Sequence, residues 1–138
     1  MSSFYAVRKL IEAKKLSEKV TSSSLRVTRF PSTGKPVHRL GWHHLERLCD
    51  FPRAVQTNIG LRDLCNQFVH GYVFQLMFTE QGGLDGVLVT SDDNRRSCLY
   101  LINVRQIINV FEGIGRDYPA TATYSYDRKA GDYRIKLT

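Results

Sequence analysis

The apolar residues of this chain change their spacing at Gly71. Before it, Leu61, Leu64, Cys65 and Phe68 recur at intervals of three and four, which places them on one stripe of a helix. After it, in 72–80 and 84–92, apolar and polar residues alternate, the pattern of strands. A chain that switches period in this way has to pack helices against a sheet. Gln81-Gly82-Gly83 joins the first two alternating runs as a hairpin turn, and 97–103 supplies a third strand. Val104, Ile107, Ile108 and Phe111 return to helical spacing, and Gly113 or Gly115 ends that helix. A last hairpin is expected around Lys129-Ala130-Gly131, with Tyr133, Ile135 and Leu137 on one face of its second strand and Arg134 and Lys136 on the other.

Upstream, Phe4, Val7, Leu10 and Ile11, extended by Leu16 and Val20, line one side of an amphipathic helix over 4–20. Residues 21–39 are rich in Ser, Thr, Pro and Gly. Leu25, Val27 and Phe30 mark a short edge strand within them. Residues 41–50 read as a short helix with Trp42, Leu45, Leu48 and Cys49 inward and Pro52 at its end, and a second helix runs from Val55 to His70. The expected class is α+β: N-terminal helices, then a mostly antiparallel sheet of about five strands with one inserted helix. The length of 138 residues fits a single domain with a core large enough to need no staples. Its expected core holds Leu61, Leu64, Phe68, Val87, Val89, Leu99, Leu101, Ile107 and Phe111.

Charge divides the chain. Residues 1–40 carry nine Lys and Arg against Glu12 and Glu18, whereas residues 41–138 carry eleven of each sign, so the whole excess of +7 lies in the first forty residues. A basic N-terminal helix and arm over 1–40, attached to a neutral α+β body over 41–138, is the organisation this implies. Arg8, Lys9, Lys14, Lys15, Lys19, Arg26, Arg29, Lys35 and Arg39 are then the candidate contacts to nucleic acid or to an acidic protein surface. No apolar run approaches the roughly 18 residues of a membrane span, and the first residues lack the apolar block of a secretory signal. Cys49, Cys65 and Cys98 form no CxxC and sit among apolar neighbours, so buried free thiols in a reducing, cytoplasmic setting are expected.

Catalytic patterns are sparse. His43 and His44 are adjacent and diverge by about 100° on a helix, so with His38 they make a poor metal set, and no metal or cofactor is expected. Gly113-Ile114-Gly115 follows a helix rather than a strand and lacks the third glycine of a nucleotide fingerprint. Ser22, Ser23 and Ser24 have no nucleophile elbow. Tyr124 and Tyr126, with Arg134 and Lys136 in the adjoining strand, are the one place where aromatic residues on a sheet face could stack nucleic-acid bases.

One constellation stands apart. In LRDLCNQFVHGY, Arg62, Asn66 and His70 fall at i, i+4 and i+8 and form a polar stripe beside the apolar one. The stretch Asn66-Gln-Phe-Val-His70-Gly-Tyr resembles the signature helix of HEPN-type ribonucleases and toxins, in which an Arg-Asn-x-x-x-His spelling occurs; here the position before Asn66 is Cys65. The resemblance implies RNA cleavage with His70 as general acid or base, Asn66 as orienting amide and Arg62 on the phosphate. The same LCNQFVHGYVF segment also looks like small uncharacterised bacterial proteins. The plainer reading makes His70 a helix-terminal residue interacting with free carbonyls. A third class, an adaptor that pairs through a strand edge, follows from the strand-rich second half. The sparseness of catalytic groups favours a non-enzymatic binding module.

Overall fold

The computed structural model describes residues 2–35 and 45–138. In chain order these form α1 (Ser2–Glu12), α2 (Glu18–Thr21), β1 (Ser24–Pro31), α3 (Leu45–Leu48), a 3-10 turn (Phe51–Arg53), β2 (Val55–Gly60), α4 (Leu61–Val69), β3 (Gly71–Phe78), β4 (Leu84–Ser91), β5 (Cys98–Asn103), α5 (Val104–Gly115), β6 (Ala122–Asp127) and β7 (Asp132–Leu137). The fold is α+β. Strands β1 to β5 make one antiparallel sheet in the order β2-β1-β5-β4-β3, and β6 and β7 make a separate two-stranded ribbon. No helix among the described residues is long and apolar enough to cross a membrane.

Alternation decides which side chains meet the helices. Leu25 and Val27 of β1, Ile59 of β2, Val87 and Val89 of β4 and Ile102 of β5 share one face, and α1, α4 and α5 cover it with Phe4, Val7, Leu64, Cys65, Phe68 and Ile107. The ring of Phe4 stacks on that of Phe68 at 3.9 Å and meets Phe111 at 4.9 Å, so one aromatic side chain of α1 joins α4 to α5. The other face buries Phe30, Val73, Leu88 and Leu99 with Leu48 and Cys49. From Gly86 to Ser91, β4 is therefore buried on both faces. Its polar members are satisfied: the Thr90 hydroxyl donates to the Cys98 carbonyl at 2.9 Å, and the Ser91 N–H donates to Oε1 of buried Gln67 at 3.0 Å. At Gly86 a Cβ would stand 3.0 Å from the Ile102 carbonyl oxygen, so the approach of β4 to β5 depends on a glycine there.

Several expectations need correction. Residues 24–31 are not an edge strand; β1 is hydrogen-bonded to β2 on one side and β5 on the other. The basic first forty residues are thus no appended arm in their described part, since Phe4, Val7, Leu16, Leu25, Val27 and Phe30 belong to the core. The helix expected over 55–70 begins only at Leu61. Val55, Thr57 and Ile59 are β-branched and pair with β1, and that pairing overrides the helical spacing. The final hairpin forms, with the faces expected, but it does not join the main sheet. Most of the expected core is buried, while Leu101 and Phe111 are only partly so and Leu10 is exposed. The three cysteines are free and buried, and burial pushes the Cys49 and Cys65 thiols up to about 11, which keeps them protonated. Arg39, His38, His43, His44 and Trp42 lie outside the described residues.

Candidate nucleic-acid interface

The C-terminal ribbon is tied to the body by polar contacts. Past α5, the Asp117 carboxylate accepts from the Ser17 N–H at 2.7 Å and from its hydroxyl at 2.6 Å. The Thr138 N–H donates to the Thr121 carbonyl, and the Ala120 and Thr121 N–H groups return to the Thr138 carbonyl, closing the base of the ribbon. Lys136 pairs with Glu18 of α2 at 2.7 Å. At the far end, Asp127 holds the turn. Its side chain accepts from the Lys129 N–H at 2.9 Å and from Nε of Arg134 at 2.8 Å. The Arg134 guanidinium, and then the Ala130 and Lys129 amides, hold the Asp127 carboxyl below its usual range. Gly131 completes the turn at φ 65°, a conformation that costs a side-chain-bearing residue more than glycine.

Register sorts the ribbon into two faces. Tyr124 lies opposite Ile135 and Tyr126 opposite Tyr133, so these four share one face; Thr123, Ser125, Arg134 and Lys136 share the other. Tyr126 and Tyr133 meet edge to face with centroids 5.2 Å apart. Tyr124, Tyr126 and Tyr133 are 63, 57 and 61 % exposed, an unusual state for three tyrosines on one sheet face. Between the ribbon and the α1–α2 corner lies a groove of about 510 Å³, lined in part by Lys14, Thr123, Ser125, Arg134 and Lys136. Lys14 adopts φ 56° at the end of α1, where the Lys15 N–H bonds back to Leu10 and the Lys14 N–H to Ile11. This is the left-handed helix stop that glycine usually occupies.

The other candidate cations among the described residues stand in several different settings. Lys19 and Arg26 flank a second groove of about 380 Å³ between α2, β1 and α5, with Gln106 and Asn109 on its far side. Lys9 pairs with Glu12 at 2.9 Å and lies over the Tyr5 ring. Arg29 is half-buried beside Tyr100, and Lys35 is exposed after β1. Burial pushes the Tyr100 phenol up to about 12, Cys98 adds to the rise and Arg29 opposes it.

Arg8, partly buried, is engaged by neighbours at the surface between α1 and α4. Its Nε donates to Glu12 at 3.0 Å, and its Nη1 donates to Oδ1 of Asn66 at 2.6 Å and lies 2.8 Å from Nε2 of His70. A guanidinium can only donate, so in this contact Nε2 of His70 is the side that would accept. The polar stripe of α4 therefore gains its cation from α1, 58 residues before Asn66. Arg62, assigned that role from spacing, is exposed and makes no hydrogen bond or ion pair among the described residues. Spacing on one helix could not reveal a partner supplied by another. A recess of about 330 Å³ beside Asn66 is lined by Asp63 and Asp93 as well, a setting that repels phosphate. The cluster is built as a clamp between α1 and α4.

Comparison with known protein families, curated proteins and solved structures finds no match to this chain.

Proposed function

We propose that this chain is a non-enzymatic module that binds single-stranded nucleic acid on its C-terminal ribbon. The observation that carries the reading is the exposed row of Tyr124, Tyr126 and Tyr133 on one face of a ribbon whose turn bears Arg128 and Lys129, while Arg134 and Lys136 stand on the opposite face, paired with Asp127 and Glu18. Aromatic faces stack on any base, and neighbouring cations neutralise the backbone; together they make a sequence-tolerant single-strand platform. Lys14 lines the groove on the opposite, Arg134 and Lys136 face of the ribbon and Lys15 follows it in sequence, so a bound backbone would run round the ribbon from these cations to the tyrosines. Duplex nucleic acid offers no free base faces, so single strands are preferred.

The ribonuclease alternative loses support because Arg8, the cation nearest Asn66 and His70, already serves Glu12 and both of them. An acidic protein surface as the partner keeps the cations but leaves the tyrosines without a role.

The test is fluorescence anisotropy of a short labelled oligonucleotide at low salt. Wild type binds the single strand more tightly than the duplex. Replacing both Tyr126 and Tyr133 with Ala weakens binding by tenfold or more, since stacking contributes about 1–3 kcal/mol per base. Replacing Lys14 and Lys15 with Gln lowers the slope of affinity against salt. Absence of binding by wild type at low salt, or equal binding by the tyrosine double variant, overturns the reading. Cleavage of the oligonucleotide that disappears in His70→Ala would revive the ribonuclease.

A further inference from the structure

We infer that β3 is the contact edge of a two-fold dimer of this chain, independently of what the ribbon binds. Among the described residues the main sheet ends in two strands with no further neighbour, β2 and β3, and they differ. The β2 edge is six residues long, VQTNIG, and half polar, with Gln56, Thr57 and Asn58 in succession; like β3 it has no charged residue and no proline, so the two differ in length and in exposed apolar side chains. The β3 edge is eight residues long, GYVFQLMF, and holds no charged residue and no proline. Open edges normally carry such residues because a bare edge recruits another strand. On β3, Phe74, Leu76 and Phe78 point to the helix-side face yet remain 49, 42 and 58 % exposed; Phe74 only touches Phe68 edge-on, with centroids 6.0 Å apart.

A second copy is the occupant this edge fits. Register irregularities bound a regular stretch from Val73 to Met77, whose middle residue is Gln75. An antiparallel pairing with the two-fold axis at Gln75 places Phe74 opposite Leu76 of the other copy, Leu76 opposite Phe74, and Gln75 opposite its own counterpart. That self-complementarity is what an isologous contact requires. The central pair matters, because Oε1 of Gln75 is buried and has no hydrogen-bond partner among the described residues. Directly opposed side chains have Cβ atoms about 4.5–5.5 Å apart, so a turn of the two carboxamides would pair them across the axis.

Area and charge agree with this choice. The three exposed side chains hold on the order of 300 Å² of apolar surface per copy, so at most about 600 Å² for the pair is withdrawn, given about 150–250 Å² for each aromatic. That approaches the apolar share of a specific interface of about 1,200 Å². A chain with a net charge of +7 repels its copy, and an uncharged strand is where two copies can approach. Salt therefore strengthens this contact while it weakens nucleic-acid binding, which separates the two readings.

Sedimentation velocity over a concentration series tests the inference, with circular dichroism to confirm folding. Wild type is expected to show a dimer that tightens as salt is raised. Leu76→Lys and Phe78→Lys, each at an exposed position, are expected to raise the dissociation constant by at least tenfold, and Val55→Lys on the β2 edge to leave it unchanged. As a second readout on unaltered protein, β3 amides should exchange more slowly with deuterium as concentration rises. A wild type that stays monomeric at high micromolar concentration overturns the inference, as does a dimer that persists in both folded lysine variants.

Discussion

The helix-side face of the main sheet and the tyrosine face of the ribbon are written in the same alternating pattern, yet only the first is covered. Val87 and Val89 of β4 meet α4 and α5 and are almost wholly buried. Tyr124 and Tyr126 of β6 stand at equivalent alternate positions with no helix over them. The three longer helices, α1, α4 and α5, are already spent on the main sheet. Alternation states which side chains share a face; the supply of covering elements decides whether that face becomes core. Tyrosine suits the uncovered case, because its hydroxyl is hydrated while its ring remains free to stack.

That contrast is broken or sharpened by substitution. The largest effect is expected at Leu64, fully buried where α4 crosses the sheet. Leu64→Ala should cost about 2–5 kcal/mol in urea unfolding, whereas Tyr124→Ala on the ribbon should shift stability by no more than about 0.5 kcal/mol. A smaller loss is expected at the clamp between α1 and α4. Arg8→Ala removes a charged donor from Asn66 and His70 and should cost about 1.5–3 kcal/mol, with Arg62→Ala near neutral. Thermal unfolding of the two variants side by side checks that the cation of the stripe comes from α1. The smallest effect has opposite signs in the two regions. Lys14→Gly relieves the positive φ at the end of α1 and should stabilise the fold by about 0.5–1 kcal/mol. The same change removes a cation from the groove under the ribbon and should weaken oligonucleotide binding.

The class of fold and the turn and faces of the last hairpin were legible because they depend on local period. Gly82 at φ 84° and Gly131 at φ 65° sit in the turns their glycines announced. Long-range pairing was not legible. Val55 to Gly60 followed the helical stripe closely enough to be read as its first turns, and only β1 lying alongside makes it a strand. The candidate site divides in the same way. Asn66 and His70 were correctly placed near each other by helical spacing, while Arg8 was counted as a surface cation because nothing local says that α1 lies along α4. The condition for base stacking, two or three aromatics exposed on one sheet face beside basic residues, was readable in the sequence; the structure supplies the exposure of the tyrosines and puts Arg134 and Lys136 on the other face.

Amide-resolved hydrogen exchange, with and without a single-stranded oligonucleotide, tests the central contrast most directly. In free protein, β4 and β5 amides should open only with global unfolding, and ribbon amides should exchange far faster, since few buried contacts hold them. Added oligonucleotide should slow exchange at Tyr124–Tyr126 and Tyr133–Ile135 and leave β4 unchanged. Protection that appears in α1 and β1 instead, or a ribbon as protected as β4 before any ligand is added, would contradict the account.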